Sequence, residues 1–136
     1  MKRNKVDLRF GIWRFDDVSH DYITQLIGIS PTKFFIKGER KNPKSSALFK
    51  TNGWIIAPGL DEYASFEEQL NAILDILEPR RDELKILCDK YYCEFSCAVF
   101  MYHDNEESTP SVHLTERYNQ FIRTLKIEFD LDLYSF

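Results

Sequence analysis

Three cysteines and a histidine, Cys88, Cys93, Cys97 and His103, fall within sixteen residues. Thiolate and imidazole are the side chains that hold zinc. Spacing decides against that chemistry. The odd positions of the run from Cys93 to His103 are Cys93, Phe95, Cys97, Val99 and Met101, a pattern that reads as one face of a strand. On a strand Cys93 and Cys97 lie about 13 Å apart at roughly 3.3 Å per residue, too far to share one ion. Cysteine is also among the most buried residue types, so both thiols are expected in the core beside Phe95 and Val99. No metal site is expected.

Acid–base or nucleophilic chemistry needs a nucleophile, a base and an orienting group brought together. His20, His103 and His113 each fall at an expected turn or helix start, outside any recognisable motif, and read as surface residues. Glu128, Asp130 and Asp132 share the spacing of one strand face, and such carboxylates can exchange protons or hold Mg²⁺. Their alternation with Phe129, Leu131 and Leu133 makes them the wet face of a half-buried sheet instead, placed to answer basic residues elsewhere. The five glycines are dispersed, with neither a Walker sequence nor a G-x-G-x-x-G run. No catalytic residue and no cofactor is assigned, and the balance leans against an enzyme.

One local feature has functional pull. Lys33, Lys37, Arg40, Lys41, Lys44 and Lys50 face only Glu39, with Phe34, Phe35 and Trp54 nearby. From this group Lys37, Arg40, Lys41, Lys44 and Trp54 are the candidate contacts to a protein partner or a small anionic ligand. A ligand pocket would lie between the sheet and the loop 37–53, beside Trp54. Cations interleaved with aromatics also suit single-stranded nucleic acid. A formal charge of −4 disfavours a long polyanion, because a dedicated nucleic-acid binder is basic as a domain. The charge is unevenly placed: residues 1–50 carry eleven Lys/Arg against five Asp/Glu, and residues 51–136 carry seven against seventeen. The favoured reading is that the two halves neutralise one another in the fold. The alternative is a basic face for an anionic partner.

The elements that position these residues follow from periodicity. Val6, Leu8, Phe10 and Ile12 alternate with Asp7, Arg9, Gly11 and Trp13, which predicts a first strand with one face on a core. Ser19 is a candidate N-cap for a short helix carrying Ile23, Leu26 and Ile27, with Gly28 as its C-terminal stop. Phe34 to Ile36 suit a short extended piece, and residues 37–46 form the expected mobile loop. Residues 47–57 suit a strand or hairpin arm turning near Thr51-Asn52-Gly53. Ser65 and Glu68 have capping-box spacing ahead of Leu70, Ile73, Leu74 and Leu77. Pro79 should kink or restart that helix before Leu84, Ile86 and Leu87. After the cysteine strand and an acidic loop, a helix carries Leu114, Tyr118, Phe121, Ile122 and Leu125, and Ile127 to Leu133 closes the chain as a strand. The order predicts an α+β two-layer sandwich: a mainly antiparallel sheet of four to five strands, sharing both end strands, with helices packed on one face.

A length of 136 residues suits one domain, 1–136, and 43% hydrophobic with 15% aromatic residues is ample for its core. No apolar h-region follows the basic start, and no window approaches a membrane span. Three cysteines outside a secretory context read as reduced thiols, so a cytoplasmic protein is expected. Trp13, Phe15, Phe100 and Tyr102 lie off the core positions and are expected to be exposed, compatible with a homodimer contact.

The run Leu26-Ile27-Gly28-Ile29-Ser30-Pro31-Thr32, followed by Lys37-Gly38-Glu39, Gly53-Trp54 and Leu131-Asp132-Leu133-Tyr134, resembles a bacterial family called domain of unknown function 4279. Ile27 stands where the family pattern has Leu. The resemblance spans nearly the whole chain and imports no activity. It implies a compact α+β domain of bacterial or phage origin and an association with toxin–immunity loci. The function expected is therefore a non-catalytic interaction or binding domain, in one form an immunity-type protein that binds a partner protein. The alternative is a small anionic-ligand-binding domain or weak enzyme.

Overall fold

The computed structural model describes residues 1–136. Strand β1 (Lys5–Trp13) buries Val6, Leu8, Phe10 and Ile12, as a period of two requires. Helix α1 (His20–Ile27) is capped by Ser19, whose side chain accepts from the Tyr22 N–H, and ends at Gly28 with φ +77°. Strands β2 (Lys33–Phe35) and β3 (Gly53–Ile56) follow. Helix α2 (Phe66–Leu77) opens with both bonds of the Ser65/Glu68 capping box. Pro79 sits in a 3-10 turn over Glu78–Arg80, and the chain restarts as α3 (Arg81–Lys90). Strand β4 (Tyr92–Met101), helix α4 (Glu116–Ile122) and strand β5 (Glu128–Ser135) complete the order. Helix α4 starts at Thr115, whose hydroxyl caps it, so Leu114 lies outside the helix expected to carry it.

The five strands form one sheet ordered β2-β3-β1-β4-β5. Three pairings are antiparallel, and β4–β5 is parallel, with α4 in the crossover that parallel neighbours need. The end strands thus share a sheet without touching: β4 lies between them, pairing Val6 with Val99 on one side and Val99 with Leu133 on the other. The helices cover one face. Their apolar sides meet β1, β3 and β4 in a cluster of 24 buried residues that includes Phe10, Trp54, Leu70, Leu84, Phe95 and Phe121. The α+β two-layer architecture follows from that one-sided covering.

Two departures from simple alternation have physical causes. Phe15, expected to be exposed, is fully buried against His20 and Tyr91. Arg14 takes a left-handed φ of +63°, which breaks the period of two and returns the chain to the core. The second departure is Gln69, the one polar residue in the buried set. Strand β3 pairs only with Phe10 to Trp13, leaving the first half of β1 without a neighbour on that side. The Gln69 amide fills the gap: its Oε1 accepts from the Leu8 N–H at 2.9 Å, and its Nε2 donates to the Val6 carbonyl at 2.7 Å. A second Nε2 bond, 2.8 Å to the Ala64 carbonyl, ties down the chain entering α2.

Candidate functional site

The face of the sheet away from the helices is bare, and strand register sets what it displays. Its rows across β1, β4 and β5 read Lys5–Phe100–Tyr134, Asp7–Ala98–Asp132, Arg9–Ser96–Asp130 and Gly11–Glu94–Glu128. Ser96 and Ala98 are small, so the centre of the face sinks between Asp7 and Arg9 on one side and Asp132 on the other. Phe100 stacks on Tyr134 with ring centroids 5.1 Å apart, and Tyr102 on Phe136 at 5.0 Å. Lys5 and Lys2 lie over the Phe100 and Tyr102 rings. Opposite this aromatic end, the Trp13 indole rests on Gly11 and Gly53 and stacks with Phe35, which stacks in turn on Phe49. These rings half-cover one another, so Trp13, Phe100 and Tyr102 are partly rather than fully exposed.

Charge runs across the sheet from edge to edge. Segment 37–50 beyond β2 is a small hairpin with bonds from Gly38 N–H to the Phe49 carbonyl, Phe49 N–H to Glu39 and Lys41 N–H to Ala47. Ala47 and Phe49 thus form the hairpin arm expected within 47–57, and its partner arm, Gly38 to Lys41, lies inside the loop expected over 37–46. The hairpin segment presents Lys37, Arg40, Lys41, Lys44 and Lys50 to solvent. Only Lys37 has an ionic neighbour, Asp16 at 3.7 Å. At the far edge Glu128, Asp130 and Asp132 stand on β5 with no cation within ion-pair distance, because Arg9 turns to Asp7 on its own strand at 3.1 Å. The pairs that join the two halves, Arg3–Glu107, Lys5–Glu62 and Lys90–Asp17, lie elsewhere. No first-half cation therefore answers β5's acids: the hairpin stands at the opposite edge of the sheet, and Arg9, one strand away in the row that ends at Asp130, is held by Asp7.

The expected site residues separate in the same way. Lys37, Arg40, Lys41 and Lys44 share the hairpin, but Trp54 does not join them. Its side chain is in the core with 0% exposure, and its Nε1 donates to the Thr24 hydroxyl at 3.0 Å. Five concavities on the surface are walled by other residues. One of them, about 350 Å³, lies between the start of β1, the α2 N-terminus and the loop after β4, with Arg3, Tyr63, Glu107 and His113 on its walls. Cys88, Cys93 and Cys97 are buried and free. Contact with Cys88 and burial push the Cys93 thiol well above its usual range, and burial pushes Cys97 up to about 11. His20 is held rather than free: its Nε2 lies 2.8 Å from the Phe35 carbonyl, with the ring between Phe15 and Phe34. His103 and His113 are exposed. Sequence reasoning missed Gln69 and the bare outer edge of β5, because both depend on which strands lie side by side.

Fold and surface together define a one-sided α+β sheet domain with a bare, charge-polarised face. The chain belongs to the family described as Domain of unknown function (DUF4279), whose model matches residues 4–136. No curated protein and no solved structure matches it. No helix is long and apolar enough to cross a membrane.

Proposed function

We propose that this chain is a non-catalytic interaction domain that binds a protein partner through the bare side of its sheet, in the manner of an immunity protein masking its target. The observation that carries the reading is the unneutralised charge at the two edges: a cationic hairpin at one and a carboxylate row at the other. Keeping like charges together in one fold costs stability through self-repulsion, and a complementary partner turns that cost into attraction and faster encounter. The partly exposed rings of Trp13, Phe100 and Tyr134 add apolar area of the kind interfaces favour. A small anionic ligand held between the hairpin and Trp54 has less support, since the indole would have to leave the core and give up its bond to Thr24.

The test is crosslinking in the source cells followed by recovery of the tagged chain. One dominant protein should be recovered, and its association rate with the purified chain should fall steeply as salt rises. Recovery of no partner, or an association rate indifferent to salt, would overturn the reading.

A further inference from the structure

The outer edge of β5 is the longest unpaired backbone in the sheet. All eight residues, Glu128 to Ser135, pair with β4 on one side, and no strand lies on the other. The opposite sheet edge, β2, is only three residues long. Natural proteins blunt long edges with proline, bulges, lysines or a covering loop, because free N–H and C=O groups invite another strand. Strand β5 contains no proline, glycine or lysine. Its only guard is the carboxylate row.

The side chains on this edge define what a sixth strand must carry. On the helix side β5 offers Phe129, Leu131 and Leu133. Phe129 packs edge-on against Phe66 and Tyr118, but the helices reach no further, and Leu131 and Leu133 are 43% and 63% exposed. On the other side stand Glu128, Asp130 and Asp132, all without ionic partners. A strand laid beside β5 thus needs apolar residues on the helix side and cations on the bare side, alternating one by one. A second copy of β5 cannot meet this. Pairing face to face would set carboxylate opposite carboxylate, which is repulsive. The β2 edge of another copy offers Lys33 alone over three residues.

We infer that the β5 edge is a docking site for an extended segment of a partner protein in which Lys or Arg alternates with apolar residues, added to the sheet as a sixth strand. The inference rests on the partner-binding reading and fixes where and by what chemistry the partner is held. Main-chain bonds supply attachment, and the two side-chain rows supply sequence preference.

The probe is a synthetic ten-residue peptide alternating Lys and Val, compared with the same composition in two blocks and with a Glu–Val alternating peptide. On the full chain, the alternating cationic peptide should slow hydrogen exchange at the β5 amides that point away from β4. It should bind at least about tenfold more tightly than the block peptide. Asp130→Asn with Asp132→Asn should weaken it, and Asp130→Lys with Asp132→Lys should transfer preference to the Glu–Val peptide while far-ultraviolet circular dichroism stays unchanged. Equal binding of alternating and block peptides, or protection appearing only at the β4–β5 side or elsewhere, would overturn the proposal. A partner recovered from cells that leaves the β5 amides unprotected would overturn this site and leave the partner-binding reading standing. Peptide docking with no cellular partner would do the reverse.

Discussion

Gln69→Met is the sharpest test of how the sheet is held, because it keeps side-chain length and removes only the amide. The substitution strands the Leu8 N–H and the Val6 carbonyl, which point away from β4 into the gap that β3 leaves unfilled. Each buried polar group without a partner costs about 1–3 kcal/mol, so two predict a loss of about 2–6 kcal/mol. The Ala64 carbonyl is only partly buried, and water can replace that bond. At roughly 3–5 °C per kcal/mol for a chain of this size, the midpoint should fall by roughly 6–30 °C. Urea unfolding should show a lower midpoint with an unchanged slope, since the surface exposed on unfolding is the same. Native-state hydrogen exchange should lose protection first at Leu8. Gln120→Met is the control: that amide is exposed and bonds only Glu116, so its effect should stay within about 0.5 kcal/mol. If Gln69→Met matches that control and Leu8 stays protected, the amide does not stand in for a strand.

Three further outcomes follow from the same packing. Tyr92, bonded to Glu94, and Tyr118, desolvated in the core, have phenols pushed up to about 12. Raised values mean the fold favours the neutral form, so this stabilisation is intact below the ordinary value near 10 and lost as pH climbs toward 12. Near-ultraviolet absorbance titration should show these two tyrosines ionising after the exposed ones, and a single transition near the ordinary value would refute it. Trp54 should give a blue-shifted emission that iodide cannot quench, removed by Trp54→Phe and kept by Trp13→Phe. Quenching of both indoles alike would place Trp54 at the surface. In Gly53→Ala the new Cβ would meet the Trp13 ring at 2.5 Å, so the indole must lift off Phe35. A loss of about 1–3 kcal/mol is expected, largely absent when Trp13→Leu is already in place. An equal loss in both backgrounds would show that Trp13 is not the obstacle.

Much of the fold was legible residue by residue. Alternation in β1 and β4 named the buried face of each strand correctly, the N-caps at Ser19 and Ser65 fell where their side chains bond, and Gly28 closes α1 with its left-handed backbone and an N–H that donates to the Thr24 carbonyl. Pro79 broke the long helix as expected. These features depend on contacts within a few residues, so local spacing is enough to specify them. The hairpin cations were equally plain in the sequence, whereas the burial of Trp54 was not, since Trp54-Ile55-Ile56 is apolar on both sides and alternation cannot choose a face.

What the amino-acid order determined by itself, then, is the set of elements, their inward faces, and the charge each segment carries. Only the tertiary structure decided that β4 lies between the end strands, that Gln69 completes the β1 ladder, and that basic hairpin and acidic strand stand at opposite edges. Strand neighbours are chosen by backbone pairing between segments far apart in the chain, and the side-chain pattern of one strand fixes its face without naming its neighbour. The exposed row of Leu131 and Leu133 beside Asp130 and Asp132 shows the difference: the sequence writes an ordinary half-buried strand, and its place at the edge leaves it half-covered and unpaired.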